Sequence, residues 1–211
     1  MSETTINTFI TLLVIINPFA VTSVLIDSTL GLDKSIRNRL ANKAAAIAAV
    51  LLTLFALIGD MILDFLGISE PAFRITGGVI LALAGLDMVM AKPSSIQSPT
   101  EEESKPSSNV MELAVFPLAI PLMSGPGSLT SIVIMMRQAQ ERGYSEQIHI
   151  IIAMLIVVGI TLLVMRSSEF VMKVLRKTGI SVLTRVFGII LTALAIQNII
   201  DGVYQLISKA S

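Results

Sequence analysis

The sequence predicts an all-α integral membrane protein of six transmembrane helices, built as two inverted three-helix repeats with helices one and four broken near the midplane. Three observations predict it. The 211 residues are 54% hydrophobic and only 14% charged, where a soluble domain carries about 25% charged residues. Six charge-free runs approach, with their apolar flanks, the roughly 20 residues that a helical span needs. Two blocks of the first half recur in the second half in the same order.

The runs are residues 4–26, 44–59, 75–86, 113–136, 147–165 and 186–200. The third carries Arg74 and Asp87 near its ends, and the sixth continues past Asp201 through Val203, Tyr204 and Leu206. Both are tolerable at headgroup depth. Met1-Ser2-Glu3 supplies no basic region and no Ala-x-Ala site follows, so the first run is expected to remain as a helix rather than to be a signal peptide. The tract from Pro93 to Ser108 is rich in Pro, Ser and Glu, a composition with too little apolar surface to order itself. It divides the chain into a first repeat (1–91), a flexible cytoplasmic linker (92–110) and a second repeat (111–211).

Orientation follows from the cations. Lys34, Arg37, Arg39, Lys43, Lys92, Lys105, Arg166, Lys173, Arg176, Lys177 and Arg185 fall on one side, against Arg74, Arg137, Arg142 and Lys209 on the other. The positive-inside rule then places both termini outside and the linker in the cytoplasm. A net charge of +0 gives no general attraction for nucleic acid. With no cysteine and one histidine there is no thiolate chemistry and no obvious metal site.

The first recurring block is Asn17-Pro18-Phe19-Ala20-Val21-Thr22-Ser23, which lies over Gly125-Pro126-Gly127-Ser128-Leu129-Thr130-Ser131 at an offset of 108. In the second, Arg74, Gly77, Ala82, Leu83 and Ala84 lie over Arg185, Gly188, Ala193, Leu194 and Ala195 at an offset of 111. Three helices per unit is odd, so the second copy enters the membrane from the opposite side. Inverted repeats with discontinuous helices are the arrangement of secondary transporters, with substrate held near the midplane.

Asn17-Pro18 falls about 16 Å of helix rise from a start near Ile6, about half a bilayer. Proline cannot continue a helix but is favoured at the first position of a new one, with Asn as its cap. Pro117, Pro121 and Ser124-Gly125-Pro126-Gly127-Ser128 repeat the construction in helix four. Each break frees N–H groups at a positive dipole end, where a carboxylate can be held without a formal cation. Carbonyls before the breaks are open to an ammonium group. The candidate substrate-binding set is therefore Asn17, Pro18, Phe19, Thr22, Ser23, Ser124, Gly125, Pro126, Gly127, Ser128, Thr130 and Ser131. The simpler reading of the same residues is a pair of proline kinks with Ser and Thr serving helix packing. Asp87, matched by Asn198, is the candidate for coupling to a proton or sodium ion. Gly77, Gly78, Ala82, Gly85, Gly188 and Ala195 read as a packing stripe, and Asp60, Asp64 and Arg74 as ion-paired or solvated groups near the outer surface.

These residues resemble the MarC family, also called neutral amino acid transporters and placed with lysine-exporter-like proteins. The resemblance spans nearly the whole chain. It rests on Ile16-Asn17-Pro18-Phe19, on Arg74-Ile75-Thr76-Gly77-Gly78 with Leu81-Ala82-Leu83-Ala84-Gly85, and on Phe116-Pro117 through Gly127-Ser128. It implies a multi-pass protein of a bacterial or archaeal inner membrane that handles small neutral amino acids such as glycine and alanine. Drug resistance is not implied. Phe19 where the second half has Gly127 makes the two half-sites chemically unequal.

A transporter of a small zwitterion is thus the first expectation, with substrate and membrane lipid as partners, no nucleic acid, no cofactor, no metal, and homo-oligomerisation left open. A narrow channel for a small solute is the alternative, separable by counterflow. A membrane-embedded enzyme is disfavoured, because the hydroxyls have no intramembrane His, Lys or Glu to activate them, and no catalytic residue is assigned. No phosphate-binding Gly-x-x-x-x-Gly-Lys loop supports nucleotide-driven pumping.

Overall fold

The computed structural model describes residues 3–90, 110–140 and 142–210, and every regular element among them is helical. In chain order these are α1 (Glu3–Ile16), α2 (Pro18–Ser28), α3 (Lys34–Phe65), α4 (Glu70–Met90), an irregular stretch (Val110–Ala114 and Val115–Met123), α5 (Pro126–Gln140), α6 (Tyr144–Arg166) and α7 (Ser168–Ala210). Five spans are long and apolar enough to cross a bilayer: Thr5–Ser28, Lys34–Phe65, Glu70–Met90, Tyr144–Arg166 and Ser168–Ser208. The irregular stretch and α5, bent by 54° at their junction, make a sixth if taken together. Of the expected linker, only Val110 lies within the described residues.

Two local differences from expectation have clear causes. The first half of the fourth span is not a regular α-helix. Pro117 and Pro121 lack an N–H and push the residue before each toward extended backbone, and Phe116 (φ −131, ψ 125) and Ile120 (φ −123, ψ 126) are indeed extended. The basic stretches expected between helices are themselves helical: Lys34, Arg37, Arg39 and Lys43 begin α3, while Lys173, Lys177 and Arg185 lie in α7. Lys and Arg are good helix formers, and their long stems reach polar headgroups from a helical backbone.

The core is mostly aliphatic. Leu12, Leu25, Leu52, Leu118, Ile132 and Met154 are fully buried in one cluster contributed by both halves of the chain. Outside it, Leu57, Met61, Leu163 and Ile189 are exposed, as apolar residues facing lipid are. Lipid removes the hydrophobic drive between helices, so close packing of small residues has to hold them together.

That packing is clearest between α4 and α7. A Cβ on Gly78 would lie 2.8 Å from the Ala195 carbonyl oxygen, one on Gly85 2.9 Å from that of Gly188, and one on Gly202 3.0 Å from that of Pro71. Residue numbers rise along one helix as they fall along the other, so the pair is antiparallel and in backbone contact along its length. Gly77 also serves close packing, but against the Thr130 methyl of α5.

Ion pairs tie the ends. Arg137 at the end of α5 meets Asp60 (2.8 Å) and Asp64 (3.2 Å) of α3 and Glu70 (3.8 Å) of α4. Its contact to Asp60 is misaligned for a hydrogen bond, whereas Asp64 accepts one. Arg74 pairs with Asp201 at 3.9 Å. At the opposite end, Glu169 takes Lys34 and Arg37, both at 3.5 Å, and Asp27 takes Lys177 at 2.9 Å.

Candidate functional site

The break between α1 and α2 is built by two residues. Asn17 adopts the left-handed conformation (φ 47, ψ 78), and Pro18 opens α2. The Ala20 amide donates to Asn17 Oδ1 at 3.2 Å, the Val21 amide to the Asn17 carbonyl at 3.2 Å, and the Thr22 hydroxyl to the Pro18 carbonyl at 2.7 Å. Asn17 therefore caps the second half-helix with both its side chain and its carbonyl. Its other side-chain atom, Nδ2, is buried and has no partner among the described residues.

The second break, 108 residues later, shares two of these bonds but not the left-handed residue, since Gly125 has no positive φ. The Leu129 amide donates to the Gly125 carbonyl at 3.0 Å, and the Thr130 hydroxyl to the Pro126 carbonyl at 2.7 Å. Both bonds join residues equivalent to those at the first break. What differs is the cap: Gly125 has no side chain to meet the first-turn amides as Asn17 does. Instead the hydroxyls of Ser128 (1% exposed) and Ser131 (4%) are buried close by without a partner among the described residues. Buried polar atoms normally find partners, so unmet ones in a membrane interior point to a ligand or water site.

The structure brings the breaks together. A Cβ on Gly127 would lie 2.7 Å from Leu81 Cδ2 of α4 and 3.8 Å from Ile15 Cγ2, two residues before Asn17. Val14, Ile15, Leu81, Ala84, Leu191 and Ala195 form a second small core beside this junction. Gly127 is thus filled against protein, and a side chain there would displace Leu81 before reaching any ligand. Phe19 packs on Phe187 of α7, ring centroids 6.3 Å apart. Thr22 is fully buried and Ser23 half-buried, while Gly125 is buried and Pro126 exposed. Ser124 is buried, with its hydroxyl 3.4 Å from the Ala48 carbonyl, a weak bond. Asp87 is not at the junction. It is half-buried and six residues beyond Leu81, about 9 Å of helix rise toward the end of α4.

Ile15, Leu81 and Phe187 were not among the expected site residues. Each is an ordinary apolar residue of an apolar helix, and only the crossing of the helices distinguishes it. Thr22 and Thr130 were expected to bond substrate or neighbouring backbone, and both hydroxyls are donated to local carbonyls. The donors left for a guest are the Asn17 amide, the two serine hydroxyls and first-turn backbone N–H groups, all uncharged.

Helices long enough to cross a bilayer, two of them opened at matching prolines, define a multi-pass α-helical membrane protein. The chain belongs to the MarC family of integral membrane proteins, whose family model matches residues 2–207. It is 40% identical to the UPF0056 membrane protein MJ1677 of Methanocaldococcus jannaschii over 90% of each chain. It is also 32% identical to the UPF0056 membrane protein YhcE of Escherichia coli, over 92% of this chain and 89% of the relative. It is 29% identical to the UPF0056 membrane protein YvbG of Bacillus subtilis, over 93% of this chain and 92% of the relative. No solved structure matches.

Proposed function

We propose that this protein is a secondary transporter of small neutral amino acids, of the glycine or alanine kind, with the zwitterion held between the two helix breaks. The observation that carries the reading is that a new helix opens at each of the two matching prolines, beside buried side-chain donors on Asn17, Ser128 and Ser131 that lack partners among the described residues. A carboxylate removed from water must be compensated, and two half-helix N-termini offer about half a positive charge each.

The two halves are read as inverted repeats. The equivalent bonds at the breaks and the antiparallel packing of α4 on α7 support this. The excess of cations on one side supports an inner-membrane protein with both termini outside. Asp87, away from the junction but within α4, remains the candidate for coupling to protons or sodium. An uncoupled channel is the second reading, favoured by the absence of any Lys, Arg, Asp or Glu in residues 4–26 and 113–136.

The test is counterflow in proteoliposomes containing the purified protein. Vesicles preloaded with unlabelled glycine or alanine should transiently accumulate the labelled amino acid above its equilibrium level, and an imposed proton or sodium gradient should drive uptake. Passive equilibration without counterflow would identify a channel. No movement of any amino acid in a panel would refute the substrate class.

A further inference from the structure

The elbow that opens α7 has chemistry that the transport reading does not use. The backbone leaves helical geometry at Arg176 (φ 54, ψ 177), separating a short arm from the long membrane helix. Beyond the turn, Lys177, Thr178, Ser181, Val182 and Arg185 line a groove of ≈ 440 Å³. On the arm, Phe170 (68% exposed) and Val174 (60%) stand four residues apart, on one face. Along the helix below, Val182, Val186 and Ile189 are exposed too.

Comparison with the first half isolates what is unusual. Arg74, equivalent to Arg185, is buried and answered by Asp201. Arg185 is exposed and has no carboxylate within ion-pair range among the described residues, and the position equivalent to Asp201 is Met90. Lys177 is neutralised by Asp27, so Arg185 is the groove's uncompensated charge. An arginine set among lipid-facing valines and isoleucines needs an anion that itself has an apolar body.

We propose that this groove binds an anionic phospholipid. The phosphate sits on the Arg185 guanidinium and the Ser181 hydroxyl, one helical turn apart, where the planar fork can donate two hydrogen bonds. The polar part of the headgroup extends toward Thr178 and Lys177, and the acyl chains run the other way from Arg185, over Val186 and Ile189. Basic pockets on the positively charged side of membrane proteins recognise lipid headgroups by the same combination. A free aqueous anion would use the charge but not the apolar surface.

The test is thermal unfolding of the purified full-length protein in neutral detergent, titrated separately with phosphatidylglycerol, phosphatidylcholine of the same chains, and inorganic phosphate. Phosphatidylglycerol should raise the midpoint saturably and more strongly at low salt; the other two should shift it little. Arg185→Gln should weaken the apparent affinity for phosphatidylglycerol about tenfold, the loss of one charge-assisted contact. Ser181→Ala, a small change that spares the fold, should weaken it about threefold. Arg39→Gln, an equal loss of charge elsewhere on the same side, should change nothing. Equal stabilisation by phosphatidylcholine or by phosphate, or unchanged phosphatidylglycerol affinity in Ser181→Ala and Arg185→Gln, would overturn the proposal.

Discussion

Gly77→Ala tests whether α5 is fixed at its break by contact with α4. The new Cβ would overlap the Thr130 methyl, and would lie 3.2 Å from Thr130 Cβ and 3.7 Å from Ile134 Cδ1. Thr130 is not free to turn away, because its hydroxyl donates to the Pro126 carbonyl at 2.7 Å. Rotating the methyl out leaves the buried hydroxyl without its acceptor, about 1–3 kcal/mol, and leaving it in place overpacks the contact by a similar amount. Alanine recovers up to about 1 kcal/mol over glycine in a helix, so the net loss should be about 1–2 kcal/mol. For a chain of this size that is a fall of about 3–6 °C in Tm.

Thr130→Ser removes the colliding methyl and keeps the hydroxyl. Alone it should cost about 1 kcal/mol for the small cavity. Combined with Gly77→Ala it should restore much of the lost stability, giving a favourable coupling of about 1–2 kcal/mol in a double-mutant cycle. The assay is thermal unfolding of all four proteins in one detergent. Strict additivity, or a neutral Gly77→Ala, would refute the claim that this contact seats the half-helix.

Arg137→Gln should lower stability by about 1–2 kcal/mol, between the values for exposed and buried pairs, since the Arg137 side chain is 26% exposed. Adding Asp60→Asn should cost less than the two single changes together, and the difference should shrink at high salt; additivity at low salt would show that the pair is not coupled. Ser35→Cys and Ser145→Cys in this cysteine-free chain should differ in intact cells treated with an impermeant thiol reagent, with only position 145 labelled. Labelling at 35 alone would reverse the orientation read from the cations.

The breaks were legible because proline acts on its own neighbours: a missing N–H and a clash four residues back need no tertiary information. The Asn17 cap was legible for the same reason. For Thr22 and Thr130 the sequence left substrate and neighbouring backbone both open, and the backbone bond is the local one, since a hydroxyl four residues after a carbonyl has an acceptor within its own helix. The partners of Arg137 and Arg74 were not readable, since they lie more than 60 residues away in sequence and a charge near a membrane surface could equally be solvated. The partner of Gly77 was not readable, because small residues on adjacent helix faces look alike until it is known which helix each face meets.

The seam between α4 and α7 also constrains how the molecule can deform. Contacts made by side chains can be traded through rotamer changes, but at Gly78, Gly85, Gly188 and Gly202 the opposing helix stands so close that a Cβ would lie within 3.0 Å of one of its carbonyl oxygens. Turning one helix against the other there would drive carbonyl oxygens into opposing backbone, so this pair behaves as a stiff beam. Bending is left to places where the helical backbone is already interrupted, at Asn17, between Phe116 and Ser124, and at Arg176. The stiff pair joins one helix from each half of the chain, so neither half can shift at this seam without carrying the other.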